Sequence, residues 1–245
     1  MNKKYNLLIP MAGKGSRFLN QGFDTPKPLI SVANKQSIDW SLGAINLQEC
    51  NLIFIVRKEH IDNYNIDKIL KQKFGEDIVI ISIDGDTRGS VETCLYAKKY
   101  IDNEIPLFTY TLDVCWKPVF NPASIELEDG FLLTYWSDCP AHSYVKLGKN
   151  GNVVETAEKE VISNNATIGL YYFRTGKMFV KYAEELLDKK ITHKNEFYIC
   201  PIYNLLIRDG LIVKTREVEE VHVIGTPKDV EIFNKYVEKY DTNIA

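Results

Sequence analysis

The chain lacks any apolar run close to the ~20 residues that a membrane-spanning helix needs, and it lacks any basic run, its 30 Lys and Arg being outnumbered by 33 Asp and Glu for a net charge of −3. These two absences argue against a membrane anchor and against nucleic acid as a partner. Lys3 and Lys4 precede an apolar stretch too short for the core of a signal peptide. There is no C-x-x-C spacing: Cys50, Cys94, Cys115, Cys139 and Cys200 are scattered and odd in number. They fit reduced, mostly buried thiols of a cytoplasmic protein rather than disulfides or a zinc site. No Pro/Gly/Ser-rich linker, low-complexity segment or internal repeat occurs, and with no hexapeptide repeat an appended β-helix acyltransferase is not expected. Two familiar phosphate-binding loops are missing as well. The third glycine of a G-x-G-x-x-G fingerprint would fall at Phe18, and no G-x-x-x-x-G-K-[ST] is present.

What is present is a chain of 245 residues, 45% hydrophobic, enough for one large α/β domain or two small ones. Its first half alternates strand and helix patterns: strands over 5–11, 52–56, 77–82 and 106–112, helices over 38–48, 60–73 and 90–100. Strands separated by helices argue for a parallel sheet, and their apolar composition suits strands buried on both faces. The second half carries strands over 130–136, 143–147, 153–157 and 167–173, with Asn150-Gly151 read as a type I′ hairpin turn. Helices are expected near 177–188 and 196–208, short strands over 211–218 and 221–224, and a last helix capped by Thr226 with Pro227 in its first turn.

The most informative stretch is IPMAGKGSRFLNQGFDTPKPLI, residues 9–30. A strand runs directly into Met11-Ala12-Gly13-Lys14-Gly15-Ser16-Arg17. Two glycines let the backbone approach a ligand and turn N–H groups toward phosphate. Arg17 adds a planar cation suited to phosphate oxygens. Ten residues on, Pro26-Lys27-Pro28 holds one lysine between two rigid neighbours. Asp113, placed where the 106–112 strand should end, sits where α/β sheets bind ligands. Asp84-Gly85-Asp86 matches a D-x-D metal motif, although short acidic glycine loops are common.

The pattern G-x-G-x-R followed by P-K-P-L resembles the signature of the nucleotidyltransferases that make nucleotide-activated sugars and alcohols from an NTP and a phosphate monoester. Ala157-Glu158-Lys159, the strand containing Gly169, and Gly89-Ser90-Val91-Glu92-Thr93 extend the likeness over nearly the whole chain. The resemblance implies a Rossmann-like, central mixed, mostly parallel sheet flanked by helices, of the nucleotide-diphospho-sugar transferase type. It implies one domain over 1–245, with a nucleotide-binding half (1–115) and an acceptor-binding half (116–245). Catalytic roles fall to Arg17, Lys27 and Asp113, with Asp113 carrying Mg²⁺. Nucleotide binding falls to Met11, Ala12, Gly13, Gly15, Ser16 and Gly89, the last leaving room for the base. Acceptor binding falls to Glu158, Lys159 and Gly169. One departure is evident: where the family carries a second magnesium aspartate, this chain has Val223, with His222 and Glu220 as the neighbours to inspect.

The small size is similar to the cytidylyltransferases of bacterial capsule and surface-polymer pathways, among them the CTP:phosphoglutamine cytidylyltransferases. CTP is therefore the favoured nucleotide. The acceptor stays open among a phosphorylated amino-acid amide, an amino-alcohol phosphate and a sugar 1-phosphate, and a homodimer is left open. Two rivals are a metal-dependent glycosyltransferase using Asp84 and Asp86, and a non-catalytic nucleotide sensor.

Overall fold

The structure is a computed structural model that describes residues 3–125 and 128–240. Its strands, in chain order, are β1 (Tyr5–Pro10), β2 (Ser31–Val32), β3 (Lys35–Gln36), β4 (Cys50–Arg57), β5 (Val79–Ile83), β6 (Leu107–Tyr110) and β7 (Val114–Lys117). They continue as β8 (Gly130–Trp136), β9 (Ser143–Leu147), β10 (Val153–Glu158), β11 (Asn165–Phe173), β12 (Val213–Glu217) and β13 (Glu219–Val223). Nine of them form one sheet in the order β5-β4-β1-β6-β11-β8-β12, with the β9–β10 hairpin branching from β11. The pairings β1–β4, β1–β6, β4–β5 and β8–β12 are parallel. Only β10 and β11 run against the other seven, so the sheet is mixed and mostly parallel in direction. Helices flank it, as expected for this fold type.

Central strands bury both faces, because successive side chains point to opposite sides. Leu8, Ile53 and Ile55 join one apolar cluster, with the helix Gly176–Asp188 packed there through Phe179, Val180 and Ala183. Leu7, Ile9, Phe54 and Val56 join the cluster on the other face, with Ile38 and Leu42 of the helix Ser37–Gly43. A third, smaller cluster gathers Phe18, Ile30, Val32, Cys115, Ile224, Val230 and Phe233. It ties the residue after Arg17 and the segment after Lys27 to the C-terminal helix Pro227–Tyr240. The two signature loops are thereby anchored from below by apolar contact.

Several elements differ from the sequence expectation. The helix expected over 38–48 ends at Gly43, and the chain beyond it bridges Ile45 to Phe120. The one over 60–73 breaks at Asn65, which is left-handed at φ 49°. The one over 90–100 splits into Ser90–Leu95 and Lys98–Ile101. Residues 196–201 are not helical: the Phe197 N–H donates to the Arg88 carbonyl at 2.7 Å, and the helix begins only at Ile202, after Pro201. β7 and β13 pair into a separate small sheet that the pattern did not suggest. The β9–β10 hairpin forms, but its turn is not type I′. Gly151 alone is left-handed there, at φ 78°, after a turn closed by Gly151 N–H to the Gly148 carbonyl. A two-residue primed turn would need positive φ at Asn150 too.

The fork at β11 positions the cleft. Residues 165–167 pair with β8, and Ala166 also pairs with Tyr144 of β9, whereas 170–173 pair with β6 and 171–173 also with β8. The register shifts between Thr167 and Tyr171, where Gly169 lies at φ 82°. β6 and β9 thus leave the same edge of β11 at different heights, and the space between them opens as the floor of a cavity.

Candidate active site

The cleft has a volume of about 750 Å³ and is lined by the glycine loop, Lys27, Gly89, Asp113, Glu158, Lys159, Gly169 and the 196–199 segment. Of the site residues anticipated from sequence, Met11, Ala12, Gly13, Gly15, Arg17, Lys27, Gly89, Asp113, Glu158, Lys159 and Gly169 all line it. Ser16 does not: it is exposed at the start of the one-turn helix Ser16–Leu19.

The glycine loop continues β1, with the Met11 N–H still donating to Ile55 at 2.9 Å. Gly15 is left-handed (φ 66°) and receives the N–H groups of Phe18 and Leu19, which sets Arg17 beside the cleft. Lys27 stands in a single 3₁₀ turn (Lys27–Leu29) between Pro26 and buried Pro28. Its carbonyl accepts from the Ser37 hydroxyl at 2.7 Å, which fixes the backbone that carries the ammonium.

The centre of the site is an ion pair. Lys27 Nζ contacts Asp113 Oδ1, the lysine side chain 20% and the aspartate 48% exposed. Burial, and then the guanidinium of Arg17, pull the Lys27 ammonium down from the usual lysine range, with Asp229 opposing. The Asp113 carboxylate in contact favours the charged form. Asp113 lies beyond β6 rather than at its end. The strand stops at Tyr110, Leu112 is left-handed at φ 59°, and Asp113 precedes β7. The Asp113 carbonyl accepts from Ile224 at 2.8 Å, so β13 holds the bend. Left-handed non-glycine backbone costs roughly 1 kcal/mol and gathers at functional sites. Lys159, at φ 55°, shares it.

Among the described residues no group of three or more His, Cys, Asp or Glu could hold a metal ion. One half-exposed aspartate is nevertheless what Mg²⁺ uses when phosphate oxygens supply the remaining ligands. Neither neighbour of Val223 replaces a second carboxylate. His222 is packed against Phe233 and Tyr236, with ring centroids at 4.8 and 4.2 Å, and Glu220 pairs with Lys117 at 3.6 Å. A further carboxylate with no motif around it, Asp229, lines the cleft. It caps its own helix with Thr226, whose hydroxyl is 2.6 Å from Oδ2. Its only sequence signal was that helix start.

At the other end, Glu158 Oε2 accepts from the Ser143 hydroxyl at 2.5 Å. Burial pushes the Glu158 carboxyl above 4.5; the Ser143 bond and Lys159 oppose, and Glu196 adds to the rise. An ionised Glu158 therefore costs stability at pH values above its raised folded pKa, and that cost disappears as pH falls through it. Glu158→Gln, which keeps a partner for Ser143, is expected to raise Tm near neutral pH, because the amide carries no charge to bury. The gain should fade toward pH 4. A Tm difference that is flat across that range would show that burial of the carboxylate costs nothing.

Asp86 of the Asp84-Gly85-Asp86 loop also lines the cleft, but its carboxylate is engaged by cations. Asp86 pairs with Lys14 at 2.6 Å and with Arg57 at 3.0 Å, while Arg57 also donates to the Ala12 carbonyl at 3.2 Å. Lys14, and then Arg57, hold the Asp86 carboxyl below its usual range. The motif straps the glycine loop to the 84–89 loop.

The glycines divide by cause. A Cβ on Gly89 (φ 130°) would lie 2.5 Å from the Phe197 backbone N and O, and one on Gly169 would lie 2.4 Å from Thr111 Oγ1. Both glycines are demanded by the fold itself, not only by a ligand. A Cβ on Gly13 would meet nothing within 4 Å, so its bare backbone faces open cleft. Gly89→Ala is expected to destabilise by about 2–3 kcal/mol, lowering Tm by about 5 °C or more. Gly13→Ala should leave the stability unchanged to within about 0.5 kcal/mol and raise the KM for nucleotide severalfold. Thermal melts beside steady-state kinetics check both; a stable Gly89→Ala protein would refute the packing argument.

No protein-family model matches the chain. It is similar to the bifunctional protein GlmU of Methanocaldococcus jannaschii, 27% identical over 259 residues and 97% of this chain. The chain spans about half, 55%, of that curated relative's length. Among solved structures it is similar to a nucleoside-diphosphate-sugar pyrophosphorylase from Vibrio cholerae RC9: TM-score 0.81, 25% identity, 94% of this chain and 99% of that one. It also shares the fold of the inositol-1-phosphate CTP transferase from T. maritima: TM-score 0.70, 16% identity, 97% of this chain and 98% of that one. The comparisons support the nucleotidyltransferase family, and the fold is that of the nucleotide-diphospho-sugar transferases.

Proposed function

We propose that the protein is a nucleotidyltransferase that joins an NTP, CTP by preference, to a small phosphate monoester and releases pyrophosphate. The observation that carries this reading is the Lys27–Asp113 pair in one cleft, between a glycine loop at one end and Lys159 with Glu158 at the other. The likeness to a nucleoside-diphosphate-sugar pyrophosphorylase supports the reaction class, and the preference for CTP rests on the resemblance to the small cytidylyltransferases. We take the chain as one domain, residues 1–115 serving the nucleotide and 116–245 the acceptor.

The acceptor phosphate is largely ionised at neutral pH, so its oxygen attacks the α-phosphorus without a strong general base. The bond from the α-phosphorus to the bridging oxygen breaks, and pyrophosphate leaves with the electron pair. Catalysis is positioning and charge neutralisation. Backbone groups of Gly13 and Gly15 serve the phosphates, and Ser16, which lies outside the cleft, takes no part. Lys27 steadies the charge that gathers on the α-phosphate, and Arg17 holds the leaving group. Lys159 aligns the acceptor phosphate. Asp113 would hold Mg²⁺, which when bound neutralises triphosphate charge. The base lies against the 84–89 loop, with its edge read by backbone groups at Met11 and Ala12. Backbone N–H and C=O groups can match the edge of a pyrimidine.

A role in capsule or surface-polymer synthesis, in the cytoplasm, follows from the resemblance to the small cytidylyltransferases. No helix among the described residues is long and apolar enough to cross a membrane. The ion pairs of Asp86 weigh against the glycosyltransferase alternative. The test is pyrophosphate release with each of CTP, UTP, ATP and GTP in Mg²⁺ against a panel of phosphate monoesters, beside thermal melts with each nucleotide. Stabilisation by GTP or ATP alone would overturn the base assignment. No response to any nucleotide would overturn the whole reading.

A further inference from the structure

Arg57 belongs to neither signature loop, yet it is buried more deeply in the cleft wall than Lys27. It ends β4, the strand beside β1, and its side chain is 10% exposed against 20% for Lys27. It lines the cleft. One nitrogen, Nη1, donates both to Asp86 Oδ1 at 3.0 Å and to the Ala12 carbonyl at 3.2 Å. Nε is buried with no hydrogen-bond partner among the described residues, and Glu59 Oε2 lies 3.8 Å from it. A guanidinium buried with its fork half used adds little to stability, and an apolar side chain of similar length would serve the fold about as well. The two bonds that Nη1 does make therefore point to a task in the cleft.

The Ala12 carbonyl is the informative partner. It belongs to the peptide that joins Ala12 to Gly13, and in a planar trans peptide the C=O and N–H point in opposite directions. With the carbonyl drawn into the wall by Arg57, the Gly13 N–H is turned away from the wall. Gly13 lines the cleft, and a Cβ there would meet nothing within 4 Å, so the amide has room for a ligand. Across Ala12, Gly13 and Lys14 the Arg57 bond is the only hydrogen bond that the backbone makes among the described residues. Unpaired amides after a strand suit an anion. A glycine backbone without such a tether would spread over many conformations and aim its amides nowhere in particular. Asp86 keeps the tether in place, its other oxygen being 2.6 Å from Lys14.

We infer that Arg57 is a positioning residue for the nucleotide's phosphates: by holding the Ala12 carbonyl it turns the Gly13 N–H toward them. This rests on the nucleotidyltransferase reading of the same cleft. Arg57 touches neither phosphate nor base and acts through the peptide between Ala12 and Gly13.

The test is isothermal titration of the full chain in Mg²⁺ with two probes: whichever of CTP, UTP, ATP and GTP binds tightest, and inorganic triphosphate, which has no base. Arg57→Met should weaken both by a similar factor, at least about tenfold. The factor should be the same at about 0.05 and 0.5 M KCl, since salt screens a lost charge but does not restore a misplaced amide. The Tm should match the parent's, which separates positioning from damage to the fold. Arg57→Lys, whose ammonium keeps a donor for the carbonyl, should bind both probes within about threefold of the parent, and it carries the test should Arg57→Met not fold. Asp86→Asn leaves the Ala12 bond in place and should cost less than Arg57→Met. Unchanged affinity in Arg57→Met, a loss confined to the nucleotide, or a loss that fades at high salt would each overturn the inference. So would Arg57→Lys binding more than about tenfold weaker than the parent, Asp86→Asn as damaging as Arg57→Met, or a parent that binds nucleotide but not triphosphate. No nucleotide binding by the parent would remove the underlying reading instead.

Discussion

Lys27→Ala is expected to lower kcat by at least about a hundredfold while changing the KM for nucleotide only severalfold. That is the scale of losing one charged partner made most strongly in the transition state. The structural reason is the way the ammonium is held. Its backbone is clamped through Ser37, its stem is largely covered, and its head meets Asp113. A lysine so fixed contributes position as well as charge, so Lys27→Arg should recover little: a planar fork does not fit a site shaped for a compact ammonium. The Tm of both variants should stay near the parent value, because the Asp113 carboxylate left behind is half exposed and can be solvated. Turnover near the parent rate in Lys27→Ala would remove this lysine from the chemistry.

Asp113→Asn should reduce Mg²⁺-dependent turnover by roughly 10²–10³-fold with the fold intact. An amide keeps the shape of the side chain but loses the charge that a hard cation requires. Asp84→Asn should have a far smaller effect. Asp86→Asn should loosen the Lys14 and Arg57 contacts and raise the KM for nucleotide rather than abolish turnover. Steady-state kinetics across a Mg²⁺ titration separates these outcomes. Loss of activity in the Asp84 and Asp86 variants with Asp113→Asn still active would transfer the metal to the D-x-D loop and support glycosyl transfer.

The features visible in the sequence are those that chemistry concentrates in a short stretch. The glycine loop, Pro-Lys-Pro and the apolar central strands are local signals, and the structure brings them into one cleft with Asp113, Glu158 and Lys159. What stayed hidden depends on partners far along the chain. Gly89 reads as space for a base, but its closest neighbour is the backbone of Phe197, and the Ser90–Phe197 hydrogen bond spans 107 positions. Residues 196–201 read as helix because their apolar spacing continues into Ile202–Arg208; the hydrogen bonds to Arg88 and Val91 outweigh that tendency. For the same reason Tyr198 and Glu196 carried no signal of their own. β7 and β13 are short and partly polar, and their pairing is fixed by tertiary contact alone. The two left-handed residues at the site, Leu112 and Lys159, have side chains that ordinarily avoid that conformation, so no residue type announced the bends.

The fork of β11 has a bearing on how the molecule can move. Its 170–173 segment is laddered to β6, in the half proposed to serve the nucleotide, while Ala166 and 165–167 are laddered to β9 and β8 in the other half. The two halves are stitched by a continuous set of backbone hydrogen bonds, not joined by a linker. A hinge motion that swung one half over the other would have to tear that ladder, and sheet interiors are among the last parts of a protein to open. Accommodation of a substrate therefore falls to the segments that rest on the sheet without belonging to it: the glycine loop, the 84–89 loop and the 196–199 segment. Because the last two are hydrogen-bonded to each other through Phe197, they move as one body, and a shift at the nucleotide is transmitted directly to the wall beside the acceptor.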